Sequence, residues 1–131
     1  MNQEHPRLKR VSALLCDLDG TLIDSAGILG EAYKGAFRAM GMSDVLNKFV
    51  FEISRGWDSG RYGREYGVTP SQMEEFRAAY RRELNRLYCG GDPACLPRLF
   101  EGTKELINML EIKQIPWAIV TANEAGMAKA V

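Results

Sequence analysis

Two carboxylates with a chemically useful spacing lie near the start of the chain, in the segment Asp17-Leu18-Asp19-Gly20-Thr21-Leu22-Ile23-Asp24. Side chains two residues apart on an extended backbone point to the same side, so Asp17 and Asp19 can converge on one small reacting group. One carboxylate can attack as a nucleophile, while a neighbour kept protonated by like-charge proximity donates a proton to the leaving group. Two close anions repel unless a cation lies between them, and such hard oxygen ligands favour magnesium together with a phosphate. The spacing therefore predicts that Asp17 and Asp19 are catalytic and that both bind Mg²⁺.

Gly20 follows this pair and is predicted to take part in binding the substrate. A glycine permits a sharp turn and the close approach of a ligand, and the amides of residues 18–20 could face an anion. A solvated turn or an Asx cap is the alternative interpretation of the segment. A calcium loop of the EF-hand type fits less well, because residues 17–28 lack the late bidentate glutamate and the preceding helix.

Two buried strands are predicted to position these residues. Residues 11–16 are apolar and end abruptly at Asp17, and residues 116–120 form a second apolar run that ends at Thr121, Ala122 and Asn123. The helical pattern of residues 102–113 lies between them, so the three elements form a βαβ fragment. The ends of two parallel strands can lie side by side, which would bring the hydroxyl of Thr121 and the adjacent amide of Ala122 towards a phosphate beside Asp17. An ordinary helix N-cap is the alternative role for Thr121.

A stretch of about seventy residues between the first strand and this fragment is predicted to be all helical. Apolar residues recur at helical spacing over 28–40, and Thr69-Pro70-Ser71 opens a second long helix that runs to about residue 88. Shorter helices are predicted over 45–53 and 59–66. The fold class is therefore α/β, with an incomplete Rossmann-like core of parallel strands at 1–25 and 97–131 and an inserted α-helical cap at 26–96.

Composition limits the possible classes of protein. The chain has 131 residues, of which 46% are hydrophobic and 26% are charged, and its formal net charge is zero. These values predict one ordinary domain with no nucleic-acid or membrane partner, and the polar residues 1–10 followed by no long apolar run predict a cytoplasmic location. Three cysteines predict reduced thiols, without a disulfide framework or a zinc site. The oligomeric state stays open.

Together these motifs resemble the haloacid dehalogenase-like hydrolase superfamily, in particular its phosphoglycolate phosphatase-like branch with a helical cap. The resemblance implies that Asp17 is the nucleophile that becomes an aspartyl-phosphate and that Asp19 is the general acid and base. It also implies that magnesium is held by the Asp17 side chain and by the Asp19 backbone carbonyl. Residues 118–123 resemble the second motif of the family, in which Thr121 would bind the phosphoryl oxygens. Residues 100–103 resemble the return from cap to core. The implied substrate is a small phosphate monoester.

Complete members of that superfamily carry a later lysine and further acidic residues that this chain does not reach. Lys129 is only eight residues after Thr121 and receives no such role. Because electrostatic stabilisation of the phosphoryl group is usually the largest catalytic effect, we expect weak or no turnover from this C-terminally truncated chain alone. The missing strands would also leave apolar surface uncovered, which predicts marginal stability or aggregation.

Three other functions stay open at this point. A phosphomutase would share both aspartates and the cap, whereas a dehalogenase would need the nucleophile without Asp19. A non-catalytic fragment that binds phosphate or a protein is the alternative from a different class.

The arginines of the helical stretch have two interpretations. Arg55, Arg61 and Arg64 could bind a carboxylate or phosphate of the substrate, since arginine recognises both groups bidentately, although solvated helix faces often carry such residues. Of these, Arg55 is predicted to bind substrate. The arginines of the last long helix alternate with glutamates and predict an exposed face with ion pairs; they are Arg77, Arg81, Arg82 and Arg86. The apolar face of that helix predicts core positions at Tyr80, Leu84, Leu87 and Tyr88.

Overall fold

The computed structural model describes residues 11–90, 93 and 96–122, and these form a mixed α/β fold. Its strands are β1 (Leu14–Cys16), β2 (Ile23–Asp24), β3 (Arg98–Leu99) and β4 (Trp117–Ile119). Its α-helices are α1 (Ala26–Ala39), α2 (Ser43–Leu46), α3 (Ser59–Glu65), α4 (Met73–Gly90) and α5 (Thr103–Ile112). The predictions made for residues 1–10, for Asn123 and for Lys129 concern residues outside the described ones, as does Cys95, one of the three cysteines.

The predicted parallel strands pair as expected. β1 and β4 lie side by side, with Leu14 opposite Trp117 and Cys16 opposite Ile119. Helix α5 connects back to β4, so β1, α5 and β4 form the βαβ arrangement that the apolar pattern predicts. This confirms the α/β fold class, with a small parallel sheet of two strands among the described residues.

Two short strands, β2 and β3, were not predicted. They pair antiparallel, with Ile23 opposite Leu99 and Asp24 opposite Arg98. The Thr103 hydroxyl donates a buried hydrogen bond of 3.0 Å to the Leu22 carbonyl, and the Phe100 amide donates to the same oxygen at 3.0 Å. These bonds fasten the start of α5 to the end of the motif segment.

Most helices follow the sequence pattern. Gly41, at φ +71°, lies just after α1, and a capping box between Thr69 and Gln72 opens a 3₁₀ turn that continues into α4. Asp58 caps α3 by accepting a 2.7 Å hydrogen bond from the Arg61 amide. The predicted helix over 45–53 is wrong, because α2 ends at Leu46 and the helical structure that follows is a 3₁₀ turn at Ile53–Arg55.

Helices α1 and α4 pack against each other and bury most of the apolar side chains. The main cluster is aromatic and contains Tyr33, Phe37, Phe49, Tyr62 and Phe76. A second cluster joins Ile28 and Ala32 of α1 to Leu84 and Leu87 of α4, which confirms the predicted core positions of these two leucines. Tyr80 and Tyr88 pack against the core as partly buried residues.

The sheet and α5 expose apolar side chains. Leu15 is 69% exposed, Val120 58% and Ile112 83%. The predicted uncovered apolar surface is therefore present on this part of the described chain. None of the described helices combines the length and apolar composition that crossing a bilayer requires.

Candidate active site

The parallel pairing of β1 and β4 brings the two predicted motifs to one edge of the sheet. The Val120 amide donates a 2.8 Å hydrogen bond to the Cys16 carbonyl, so the residues that follow each strand leave the sheet side by side. Asp17, Asp19, Thr121 and Ala122 line one cavity of about 420 Å³. Four of the residues predicted as a site are therefore gathered around a single space.

The segment after β1 is held by its own backbone and by buried leucines. The Leu18 carbonyl accepts hydrogen bonds from the amides of Leu22 at 3.0 Å and Ile23 at 3.1 Å, and the Gly20 amide donates to the Ile23 carbonyl at 2.8 Å. Leu18 and Leu22 are each only 4% exposed. The side chain between the two aspartates is thus buried, as the alternation of an extended backbone requires, and both aspartates line the cavity.

Gly20 contributes to the site through its conformation. Its φ is +79°, in the left-handed region that favours glycine, and it is not among the residues that line the cavity. The side chain of Ile53 lies against it, and Ile53 does line the cavity. Gly20 itself does not line the cavity, so its predicted contact with substrate stays a prediction. The group that lies close to this glycine is the Ile53 side chain.

Aromatic rings from the helical stretch form much of the cavity wall. Tyr33 of α1 stacks on Tyr80 of α4 with 4.3 Å between ring centroids, and Tyr62 lies 4.7 Å from Tyr33 by the same measure. Burial is the main cause that raises the pKa of both Tyr33 and Tyr80, and the nearby Asp19 carboxylate raises the pKa of Tyr80 further. These phenols are therefore neutral walls of the site at physiological pH.

Two tyrosine hydroxyls hold the chain segment that leads to Ile53. The Tyr62 hydroxyl accepts from the Glu52 amide at 3.2 Å and donates to the Glu52 carbonyl at 2.9 Å. The Tyr66 hydroxyl bonds the amide and carbonyl of Val50 in the same way, at 3.0 and 3.3 Å. Each hydroxyl thus satisfies a backbone amide and carbonyl, as a neighbouring strand would, and this explains why residues 49–52 are not helical.

Arg55 lies beside the cavity without lining it. Its Nε donates a 2.7 Å hydrogen bond to Glu52, which lowers the pKa of that exposed carboxyl and raises the pKa of the guanidinium. The guanidinium also lies 4.8 Å from the centroid of the Trp57 ring, and that of Arg61 lies 4.6 Å from it. Arg61 and Arg64 do not line the cavity either. A direct contact of Arg55 with substrate therefore stays a prediction.

Arg81 is a cavity residue that the sequence pattern missed. The glutamates around it predict an exposed face with ion pairs, and Glu83 does pair with Arg86 at 3.0 Å. Arg81 is exposed, as predicted for this face, and it also lines the cavity, together with Tyr80 and Leu84 of the same helix. Its neighbours in sequence carry no signal for this, because the direction of its side chain depends on where α4 lies against the rest of the fold.

The pair of aspartates fits a magnesium ion by number and by donor type. Among the described residues no group of three or more histidine, cysteine or acidic side chains is placed to hold a metal. Magnesium, however, is commonly bound through one or two carboxylates, with waters and substrate phosphate as its remaining ligands. Asp17 supplies such a carboxylate on the cavity. The family resemblance implies that the second ligand is the Asp19 backbone carbonyl, so the Asp19 carboxyl need not bind the ion.

Comparison with known protein families gives one match. The model of the haloacid dehalogenase-like hydrolase family matches residues 14–130, which is most of the chain. A search of curated protein sequences gave no match.

Several solved structures share the fold. A haloacid dehalogenase-like family hydrolase from Streptococcus pneumoniae matches 91% of this chain with a TM-score of 0.68 and 22% identity. A candidate phosphoglycolate phosphatase from Lactobacillus plantarum matches 93% with a TM-score of 0.68 and 19% identity. A family hydrolase from Deinococcus radiodurans with bound phosphate and sodium matches 91% with a TM-score of 0.50 and 22% identity. The matched regions are 53%, 55% and 50% of those chains, so this chain spans about half their length.

Proposed function

The chain belongs to the haloacid dehalogenase-like hydrolase family, and we propose that it carries the nucleophile half of a magnesium-dependent phosphatase for a small phosphate monoester. The observation that carries the proposal is the cavity shared by Asp17, Asp19, Thr121 and Ala122. Phosphoryl transfer through an enzyme carboxylate needs three groups. These are a nucleophile, a proton donor and a hydroxyl that can bind the phosphoryl oxygens.

In the proposed reaction, a carboxylate oxygen of Asp17 attacks phosphorus and the bond from phosphorus to the ester oxygen breaks. Asp19 gives its proton to the departing alkoxide, which leaves as an alcohol. Asp19 then takes a proton from water, and the water oxygen attacks phosphorus to release inorganic phosphate and the Asp17 carboxylate. Because Asp17 and Asp19 are separated by one residue, the same pair of side chains can serve both the attack on the ester and the hydrolysis of the intermediate.

The remaining site residues orient the phosphoryl group. The Thr121 hydroxyl and the adjacent amide donate hydrogen bonds to its oxygens, in the manner of other polar groups at the ends of parallel strands. The Asp17 carboxylate and the Asp19 backbone carbonyl would hold Mg²⁺, which would supply positive charge that lessens the repulsion between the carboxylates and the phosphate.

The helical stretch at 26–96 acts in this proposal as a cap that excludes water and selects the substrate. Aromatic residues from α1, α3 and α4 line the same cavity as the aspartates, which supports that role. The phosphate bound in the Deinococcus radiodurans protein and the phosphatase name of the Lactobacillus plantarum protein support a phosphorylated ligand. We propose a cytoplasmic location, consistent with the polar residues 1–10.

The test is release of inorganic phosphate from an aryl phosphate in the presence of Mg²⁺, with mass analysis of acid-quenched protein for an added phosphoryl group. In a fusion of this chain to the C-terminal half that the solved relatives carry, we expect Asp17→Asn to reduce phosphate release by about a thousandfold or more and to abolish the covalent adduct. Asp24→Asn is the matched control, since this exposed acid belongs to the same segment but does not line the cavity.

Equal activity of wild type and Asp17→Asn would reject the nucleophile. Silence of the intact, folded wild-type chain in both assays would favour a binding fragment over an enzyme. Analysis of the products separates hydrolysis from a mutase reaction, which would return the phosphoryl group to an organic hydroxyl.

A further inference from the structure

The cavity is lined by two chemically different sets of residues. One set contains the groups proposed to bind the phosphoryl group, and it comes from the ends of β1 and β4. The other comes from the helical stretch and includes five aromatic residues, called here the aromatic wall, which are Tyr33, Phe51, Trp57, Tyr62 and Tyr80. A phosphate ester bound at the aspartates thus places its organic group among lining residues most of which are apolar.

Three polar groups on the cavity already have partners within the helical stretch. The Tyr62 hydroxyl bonds both the amide and the carbonyl of Glu52, and the Glu52 carboxylate accepts a 2.7 Å hydrogen bond from the Arg55 guanidinium. The Asp58 carboxylate accepts a 2.7 Å hydrogen bond from the Arg61 amide. Because these groups are engaged within the protein, the aromatic wall offers a ligand mainly ring surface.

Three rings of the aromatic wall keep surface that a ligand can cover. Tyr33 and Tyr62 are only 4% and 1% exposed, whereas Phe51, Trp57 and Tyr80 are partly buried although they line the cavity. Replacing water on such rings by an apolar group favours binding in proportion to the area that is covered. The cavity therefore favours a ligand with an apolar organic group.

Trp57 is held in position by the residues around it. The Arg55 guanidinium lies 4.8 Å from the centroid of its ring, the Arg61 guanidinium lies 4.6 Å from it, and the ring centroid of Tyr62 is 5.3 Å away. A side chain that is fixed before the ligand arrives loses little conformational freedom on binding. Trp57 is thus a preorganised part of the aromatic wall.

We infer that the organic group of the substrate is an uncharged aromatic ring, so that the preferred ligands are phosphate esters of aromatic alcohols. The inference rests on the proposed function, in which the phosphoryl group itself lies at Asp17. A ring buries apolar surface and gains further attraction from offset or edge-to-face contact with other rings. A cavity of about 420 Å³ has room for a phosphate and a single ring.

The charges of the other lining residues give no reason for a second anion on the ligand. Glu52 and Asp58 carry negative charge on the cavity, and Arg81 carries positive charge. One guanidinium therefore stands against two carboxylates among the described lining residues of the helical stretch. An uncharged ring does not depend on this balance, whereas an added carboxylate gains no net attraction from it.

The test compares two phosphonates that the protein cannot hydrolyse, because carbon replaces their ester oxygen. Benzylphosphonate carries an aromatic ring and 2-hydroxyethylphosphonate carries a short polar chain, while both bear the same anionic group. Isothermal titration with Mg²⁺ present measures their affinities for the wild-type chain. We expect benzylphosphonate to bind at least about tenfold more tightly, because its ring is removed from water against apolar surface.

Trp57→Gln should weaken benzylphosphonate by about fivefold or more and leave 2-hydroxyethylphosphonate nearly unchanged. Trp117→Gln is the matched control, because Trp117 is the other tryptophan of the chain and does not line the cavity. Circular dichroism shows whether each variant is folded. In Trp117→Phe, Trp57 is the sole tryptophan, so benzylphosphonate should change its fluorescence without any substitution at Trp57 itself.

Equal affinity of wild type for both phosphonates, tighter binding of the polar one, or no binding of either overturns the inference. An equal loss of both ligands in folded Trp57→Gln, or unchanged Trp57 fluorescence, also overturns it, because the ring would then not lie against the aromatic wall. Failure of the proposed function gives a different result: the preference for benzylphosphonate persists in binding, while a fusion to the C-terminal half of the solved relatives releases no phosphate from phenyl phosphate.

Discussion

The Ile53 side chain lies directly against Gly20, so that a methyl group added at this glycine would be 3.1 Å from the Ile53 Cδ1 atom. Gly20 belongs to the segment that carries both aspartates, and Ile53 belongs to the helical stretch. The contact therefore couples the position of the 49–56 segment to the conformation of the turn that carries both aspartates.

Gly20→Ala should destabilise the protein by about 1–2 kcal/mol, because an L-residue is disfavoured at a φ of +79° and its methyl group would also crowd Ile53. Chemical denaturation measures the change in the free energy of unfolding. Gly27→Ala is the control: no atom would lie within 4 Å of its new methyl group, and alanine favours the helix there, so stability should rise slightly. Equal effects at the two positions would contradict this account of Gly20.

Tyr62→Phe should cost about 1–3 kcal/mol, because it leaves the Glu52 amide and carbonyl without their hydroxyl partner in a region where Tyr62 is 1% exposed. Tyr66→Phe removes the matching pair of bonds to Val50 at a more exposed site, where water can replace them, so its cost should be smaller. Urea denaturation of both variants gives the comparison. A larger loss in Tyr66→Phe would show that burial does not control these bonds.

Alkaline pH should destabilise the fold through Tyr33 and Tyr80. Burial raises the pKa of both phenols above the ordinary value, so above about pH 10 the unfolded chain releases protons that the folded chain retains. The contribution is fully present below about pH 10 and is lost as the pH rises towards the folded-state values. Unfolding free energies measured across this range should fall less steeply in Tyr80→Phe than in wild type. Identical pH profiles would exclude burial of this phenol.

In the same fusion to the C-terminal half that the solved relatives carry, Thr121→Val should reduce phosphate release by about a hundredfold, the usual effect of removing one donor to a developing oxyanion. Thr121→Ser keeps the hydroxyl and should retain most of the activity. The two variants are compared in the aryl phosphate assay with Mg²⁺. If valine were as active as serine, the hydroxyl would have no part in binding the phosphoryl group.

The edge of the sheet that carries Asp17 and Thr121 was predictable from sequence because its geometry is local. Asp17 and Thr121 each follow an apolar run that can form a buried strand, and parallel pairing alone brings such residues to one edge. The alternation of side chains then places Asp17 and Asp19 on one side with Leu18 buried on the other.

The features that the sequence did not predict depend on contacts between residues that are far apart in the sequence. Residues 45 and 49 have helical spacing, but the hydroxyls of Tyr62 and Tyr66 bind the backbone after Phe49 and favour an extended path there. The short pair β2 and β3 has too few residues to give a periodic signal. An amphipathic pattern likewise identifies Arg81 as outside the core without showing that a cavity lies beside it.

The ladder between β2 and β3 has a consequence for how this molecule can vary. It pairs Asp24 with Arg98, so the helical stretch inserted between these two residues begins and ends at neighbouring positions of the fold. A stretch with adjacent ends can be lengthened, shortened or exchanged for an unrelated one while the distance between its attachment points stays the same. The helices that line the cavity can thus change without moving Asp17 and Asp19, and under the proposed function the choice of substrate can change with them.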